Sequence, residues 1–153
     1  MRPPLLALSL VMIPAVALAA GISPSGFADL KRGYAAGSLS TSEAPAVRAE
    51  RALREPSAGF LLGVALGAWS AARDQLAFDL EHPSAAGAPH ASQGEADRDA
   101  IDQACGEEKV AFGRLEGRSR EAGADEAAVV AAAGADSALP KAWKQRRDHA
   151  PNC

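Results

Sequence analysis

The chain has 153 residues, of which 48% are hydrophobic but only 5% aromatic, and a formal net charge of −3. That length suits one domain, with a core built from many small contacts because small side chains bury little area each. An acidic balance without a long basic run excludes a surface that tracks phosphates, so no nucleic-acid partner is expected.

The N-terminus begins Met1-Arg2-Pro3-Pro4, continues with the apolar run Leu5 to Ile13, and offers a small-x-small site at Ala17 and Ala19. A short basic start, an apolar segment and such a site make a secretory signal peptide, expected over residues 1–20, with cleavage after Ala19 or Ala20. Pro3, Pro4 and Pro14 argue against the alternative of a buried helix. The expected destination is periplasmic or secreted. Loss of Arg2 with the leader moves the net charge from −3 to −4.

Residues 21–153 read as a single all-α domain. Alanine, the best helix former, is abundant, and period-two runs of β-branched residues are absent. Ser23 ahead of Pro24 starts a first helix through Phe27, Leu30 and Tyr34, with Gly37 at its stop. Thr41 or Ser42 starts a second, in which Glu50 and Arg54 form an i,i+4 pair and Val47 and Leu53 face inward; Pro56 ends it.

The third helix is the organising element. From Ser57 to Ala72 it carries no charge, and Gly59, Gly63, Gly67 and Ala71 recur every four residues on one face. Each interior glycine costs about 1 kcal/mol against alanine, which close backbone packing must offset. The helix is expected to run to Glu81, with Leu76 and Leu80 on the inner side of its second half. A proline-containing, small and polar stretch from His82 to Gly94 then reads as a linker.

Glu95 begins a fourth helix on which Ile101, Cys105, Glu108, Phe112 and Leu115 share a face, ending at Gly117 or Gly123. Asp125 caps a fifth through Val129, Val130 and Ala133, whose smooth surface suits the strip Gly59/Gly63/Gly67. A last short helix spans Ser137 to Asp148. The architecture expected is a small bundle of five or six helices.

Cys105 and Cys153 are the two cysteines, and an exported chain with an even count is expected to pair them. Closing a loop of that size is worth on the order of 4 kcal/mol, as an upper figure, in the chain-entropy account. The alternative is two free thiols.

Few residue groups carry chemistry. His82 and His90 lie near Glu81, Glu95 and Asp97, but the flexible spacing between them reads as solvated loop histidines rather than a metal site. Asp97, Asp99 and Asp102 lack the glycine and the glutamate of a calcium loop and read as helix-start acids. No nucleophile elbow, haem-attachment motif or phosphate loop is present. No cofactor, metal or enzymatic activity is expected. Lys141, Trp143, Lys144, Arg146 and Arg147 bring an aromatic and four cations together. Either they form a partner surface, or Trp143 plugs the core and the cations suit a helix C-terminus.

The segment Gly59-Phe60-Leu61-Leu62-Gly63-Val64-Ala65, after a leader and a short helix with Leu30 and Tyr34, resembles the Gly-aromatic-aliphatic-x-Gly-Val motif of periplasmic type VI secretion immunity proteins of the Tai group. The resemblance implies a small disulfide-bonded helical protein that binds and blocks a cell-wall amidase toxin. It covers about a tenth of the chain, Ala58 stands where many such proteins carry a cysteine, and the linker is an addition. No toxin-contacting residue carries over.

Three readings remain at this level. The leading one is an exported helical binding protein, of immunity or inhibitor type, that blocks a partner protein sterically. The second is a membrane-associated protein packing its glycine strip within a bilayer, although the uncharged run, roughly 25 Å as a helix, falls short of the roughly 30 Å hydrocarbon core. The third is an enzyme without a recognisable motif.

Overall fold

The computed structural model describes residues 22–40, 42–82, 93–134 and 138–151. The expected leader over 1–20, most of the linker with His90, and Cys153 lie outside the described residues. The described residues form an all-α helical bundle of six helices: α1 (Pro24–Gly37), α2 (Ala44–Leu53), α3 (Ala58–Glu81), α4 (Gln93–Ala122), α5 (Glu126–Ala133) and α6 (Leu139–Asp148).

Local chemistry sets the helix ends. Ser23 Oγ accepts from the Gly26 N–H at 3.1 Å, Ser57 Oγ from the Phe60 N–H at 3.2 Å, and Asp125 Oδ1 from the Ala128 N–H at 2.8 Å. Each satisfies one of the orphan donors of a first turn. Prolines stand in the first turns of α1, α2 and α6, where a missing N–H is harmless. Gly123 ends α4 with φ +59°, a left-handed conformation that side chains rarely adopt.

The first half of α3 is buried on nearly all sides, and it packs on backbone. A methyl added at Gly59 would meet the carbonyl of Gly26, at Gly63 the carbonyl of Leu30, and at Gly67 the backbone of Tyr34 and Ser38. From the other side, Gly33 abuts the carbonyl of Phe60, and Gly37 that of Val64. Residue numbers rise together along this contact, so α1 and α3 run parallel and α2 makes the return. The expectation that α5 covers the strip is therefore corrected. Gly33 and Gly37 bring the backbone of α1 closer than alanines and valines could come. Ala71 continues the strip but is only half-buried.

On its opposite side α3 runs antiparallel to α4, Trp69 meeting Glu108 and Phe112 while Leu76 meets Ala104 and Cys105. The core gathers Leu30, Leu62, Leu66, Trp69, Leu115, Val129 and Trp143.

Two inward leucines are also corrected. Leu53 is 83% exposed and Leu80 is 52% exposed, while Glu50 and Asp79 are buried on the same helices. Glu50 turns in because it has partners there. Its Oε1 accepts from Arg32 Nη2 at 2.8 Å and from Arg54 Nε at 3.1 Å, the latter being the expected i,i+4 pair. Asp79 accepts from Gln75 Nε2 at 2.8 Å.

Asp29 joins the same network from α1. It accepts from Ser57 Oγ at 2.7 Å, Arg54 Nη2 at 3.0 Å and Arg32 Nη2 at 3.1 Å. The Ser57 hydroxyl holds the Asp29 pKa below the ordinary 3.8, the two guanidiniums add to this, and burial opposes it. A carboxyl depressed on folding stabilises fully above its unfolded value, and this contribution is lost as pH falls through the folded one. Asp29→Asn is thus expected to melt below the native chain at neutral pH, with the gap closing below the ordinary value of 3.8. Thermal melts of both chains across acidic pH check this, and a gap that persists unchanged would show that the ionised form contributes nothing.

Candidate functional site

The residues singled out on the last helix divide by depth. Leu139 and Trp143 face the core, with Trp143 only 7% exposed and its ring centroid 6.4 Å from that of Trp69 in edge-on geometry. Trp143 is a plug. Arg146, one turn further on, is mostly buried, and its guanidinium lies 4.5 Å from the centroid of the Phe112 ring. Lys141, Lys144 and Arg147 face solvent. Arg147 reaches Glu126 at 3.1 Å in an exposed pair, the kind worth 0 to about 1 kcal/mol.

The anchor beneath α6 is Glu108. It is 2% exposed, and its Oε1 accepts from both Trp69 Nε1 and Arg146 Nε at 2.8 Å, with Oε2 3.0 Å from the same Nε. A buried carboxylate is tolerable only when paired and hydrogen-bonded, and here α3 and α6 each supply a donor. The position of Glu108 on the apolar face with Cys105, Phe112 and Leu115 was the signal in the sequence. A glutamate inside such a stripe calls for a cation from another helix, and that cation is Arg146.

Above this anchor a cleft of about 350 Å³ opens between α3, α4 and α6. Trp69, Arg73 and Leu76 form one wall, Glu108 the floor, and Arg146 and His149 the other wall. Arg73 lies over the Trp69 ring at 5.6 Å from its centroid and donates to Asp74 through Nη2 at 2.8 Å. Sequence reasoning missed Trp69 and Arg73, because the former sits in an apolar run and the latter looks like the first solvated residue after it.

Cys105 is 2% exposed beside Leu76 and Ala104, and no cysteine among the described residues is free. His82 stacks on Phe78 with ring centroids 4.5 Å apart, its Nδ1 being 3.1 Å from the Phe78 carbonyl oxygen. Among the described residues no three metal-ligating side chains come together, and no helix is long and apolar enough to cross a membrane. Gly59, Gly63 and Gly67 form a packing face within the fold, filled by α1.

No family model matches the chain, and neither a curated protein nor a solved structure matches it.

Proposed function

We propose that this chain is an exported small helical binding protein, of immunity or inhibitor type, that acts by steric obstruction of a partner protein without catalysis. The observation that carries the reading is the anchoring of α6. Trp143 and Arg146 fix that helix to the body through Trp69 and Glu108, so the exposed cations Lys144 and Arg147 are held on a rigid element. Binding residues on rigid supports lose little conformational freedom on association, which favours tight recognition. Pairing of Cys105 with Cys153 belongs to the same reading. The bilayer alternative loses its main feature, since α1 already covers the glycine strip.

The test is export of a type VI cell-wall amidase into the periplasm of cells carrying either the native chain or the Lys144→Glu/Arg147→Glu variant. The native chain is expected to prevent lysis and to be released by osmotic shock. The variant is expected to lose protection while melting within about 2 °C of the native chain, because surface substitutions cost little. Lysis in the presence of the native chain removes the amidase-blocking reading. Retention of the chain in alkali-washed membranes removes the inhibitor reading and favours the membrane-associated one.

A further inference from the structure

Helix α4 keeps a second face, turned away from α3, that no described residue covers. Gly106, Val110, Gly113 and Gly117 follow one another at steps of four, three and four, which puts them in one line along the helix. A methyl added at any of the three glycines would meet nothing within 4 Å, and Val110 is 54% exposed. On one side of the line stand Glu107 and Arg114, on the other Lys109 and Glu116, all exposed. Among the described residues Lys109, Arg114 and Glu116 have no ion pair, whereas Arg118 on the same helix is taken by Glu43 and Glu121. Glu107 accepts from its neighbour Gln103 at 3.0 Å. Beside Glu107 and Arg114 a groove of about 450 Å³ runs between α4 and Ser42, with room for the side chains of an incoming helix.

The small residues select no neighbour by themselves; the order of the charges does. Steps of four and three set packed helices at about 20° to one another, with the flanking charges in reach across the contact. Laid parallel against a copy of itself, α4 would bring each flanking residue to the one five positions further on: Asp102 to Glu107, Lys109 to Arg114, Glu116 to Glu121. All three are like-charge contacts. Laid antiparallel, about a two-fold axis between Val110 and Gly113, the same helix sets Glu107 against Arg114 and Lys109 against Glu116, each twice by symmetry. Val110 then lies over Gly113 of the second copy, where no side chain opposes it, and Gly106 faces Gly117. From this complementarity we propose that α4 is the interface of an antiparallel, two-fold dimer of this chain. One helix pair centred on one valine per copy is at the low end of interface sizes, so the dimer is weak, with a dissociation constant on the order of 100 μM. Melts of the dilute chain therefore report the single molecule. The proposal goes beyond the blocking function and does not rest on it.

The experiment is sedimentation equilibrium of the full chain from about 10 μM to about 1 mM, a range that brackets the expected constant. The average mass is expected to rise from one chain toward two, and to rise less in about 1 M salt, which screens exposed pairs. Glu107→Arg and Arg114→Glu each set like charges opposite one another in two copies of the same variant, and each is expected to weaken association at least about tenfold. An equimolar mixture of the two variants restores opposite charges across the contact and is expected to associate within about threefold of the native chain. Because the mixture contains the same two chains, recovery there also shows that both are folded. A native chain that stays single at the highest concentration, variants that associate as well as it does, or a mixture no tighter than its components overturns the proposal. So does tighter association of Glu107→Arg alone, which is the result for a parallel pair, where the new arginine would meet Asp102.

Discussion

Gly63→Ala is expected to lower the stability of this protein, although alanine is the better helix former. The substitution returns about 1 kcal/mol of helix propensity. Against that, the added methyl meets the carbonyl oxygen of Leu30 and the backbone of Tyr34, with no flexible side chain able to move aside. The helices must separate along the whole α1–α3 contact. Overpacking costs about 1–3 kcal/mol where side chains can adjust, and more where backbone is struck. A net loss of about 2–3 kcal/mol follows, or a fall of roughly 4–12 °C in melting temperature. Gly113→Ala on α4 is the matched control, since nothing lies within 4 Å of the methyl it adds. That variant is expected to gain about 1 kcal/mol from propensity alone. Opposite signs for one substitution type in two helices of one chain are hard to obtain any other way. If both variants melt higher than the native chain, α1 and α3 are not in backbone contact.

Arg146→Met carries the second large effect. It removes the guanidinium from Glu108 and leaves a buried carboxylate with the Trp69 indole alone, a change that costs about 3–5 kcal/mol when the charge stays in place. Adding Glu108→Gln to it should recover most of the loss, because a neutral amide still accepts from Trp69 Nε1 and no longer carries unpaired charge. Urea unfolding of the native chain, the single variant and the double variant measures both steps. A single variant costing less than about 1 kcal/mol would mean that water reaches Glu108 and that α6 is not clamped there.

What could be read from the sequence follows from which interactions are local. The helix starts at Ser23, Ser57 and Asp125 lie within three residues of the N–H groups they cap, and all three were legible. So was the pairing of Glu50 with Arg54, four residues apart. The four-residue step of Gly59, Gly63 and Gly67 announced a close neighbour. Its identity was hidden because Gly37 reads equally well as a helix stop, and Gly33 lies seven residues beyond Gly26, so α1 shows no unbroken four-residue step of its own. The partners of the buried acids were hidden for a related reason. Glu50 and Glu108 enter the interior only because arginines from elsewhere, 18 and 38 residues away in sequence, meet them. Leu53 and Leu80 sit in water because Glu50, held by two arginines, and Asp79, held by Gln75, occupy the inner positions of their turns. At the candidate site, Trp143 and the cations around it were singled out as a group. Only the fold separates the plug and the clamp, Trp143 and Arg146, from the exposed pair, Lys144 and Arg147.

The glycine-to-backbone contact of α1 with α3 also shapes how this protein responds to temperature. Burying peptide groups against peptide groups removes polar surface from water, whereas an interface of leucines would remove apolar surface. The two contribute to the heat capacity of unfolding with opposite signs, about −0.26 and +0.45 cal/mol/K per Å². With few aromatic side chains elsewhere to compensate, the heat-capacity increment per residue is expected by calorimetry to fall below the usual value of about 12–15 cal/mol/K. The stability curve is then expected to be flatter, with a margin that changes less between cold and warm surroundings.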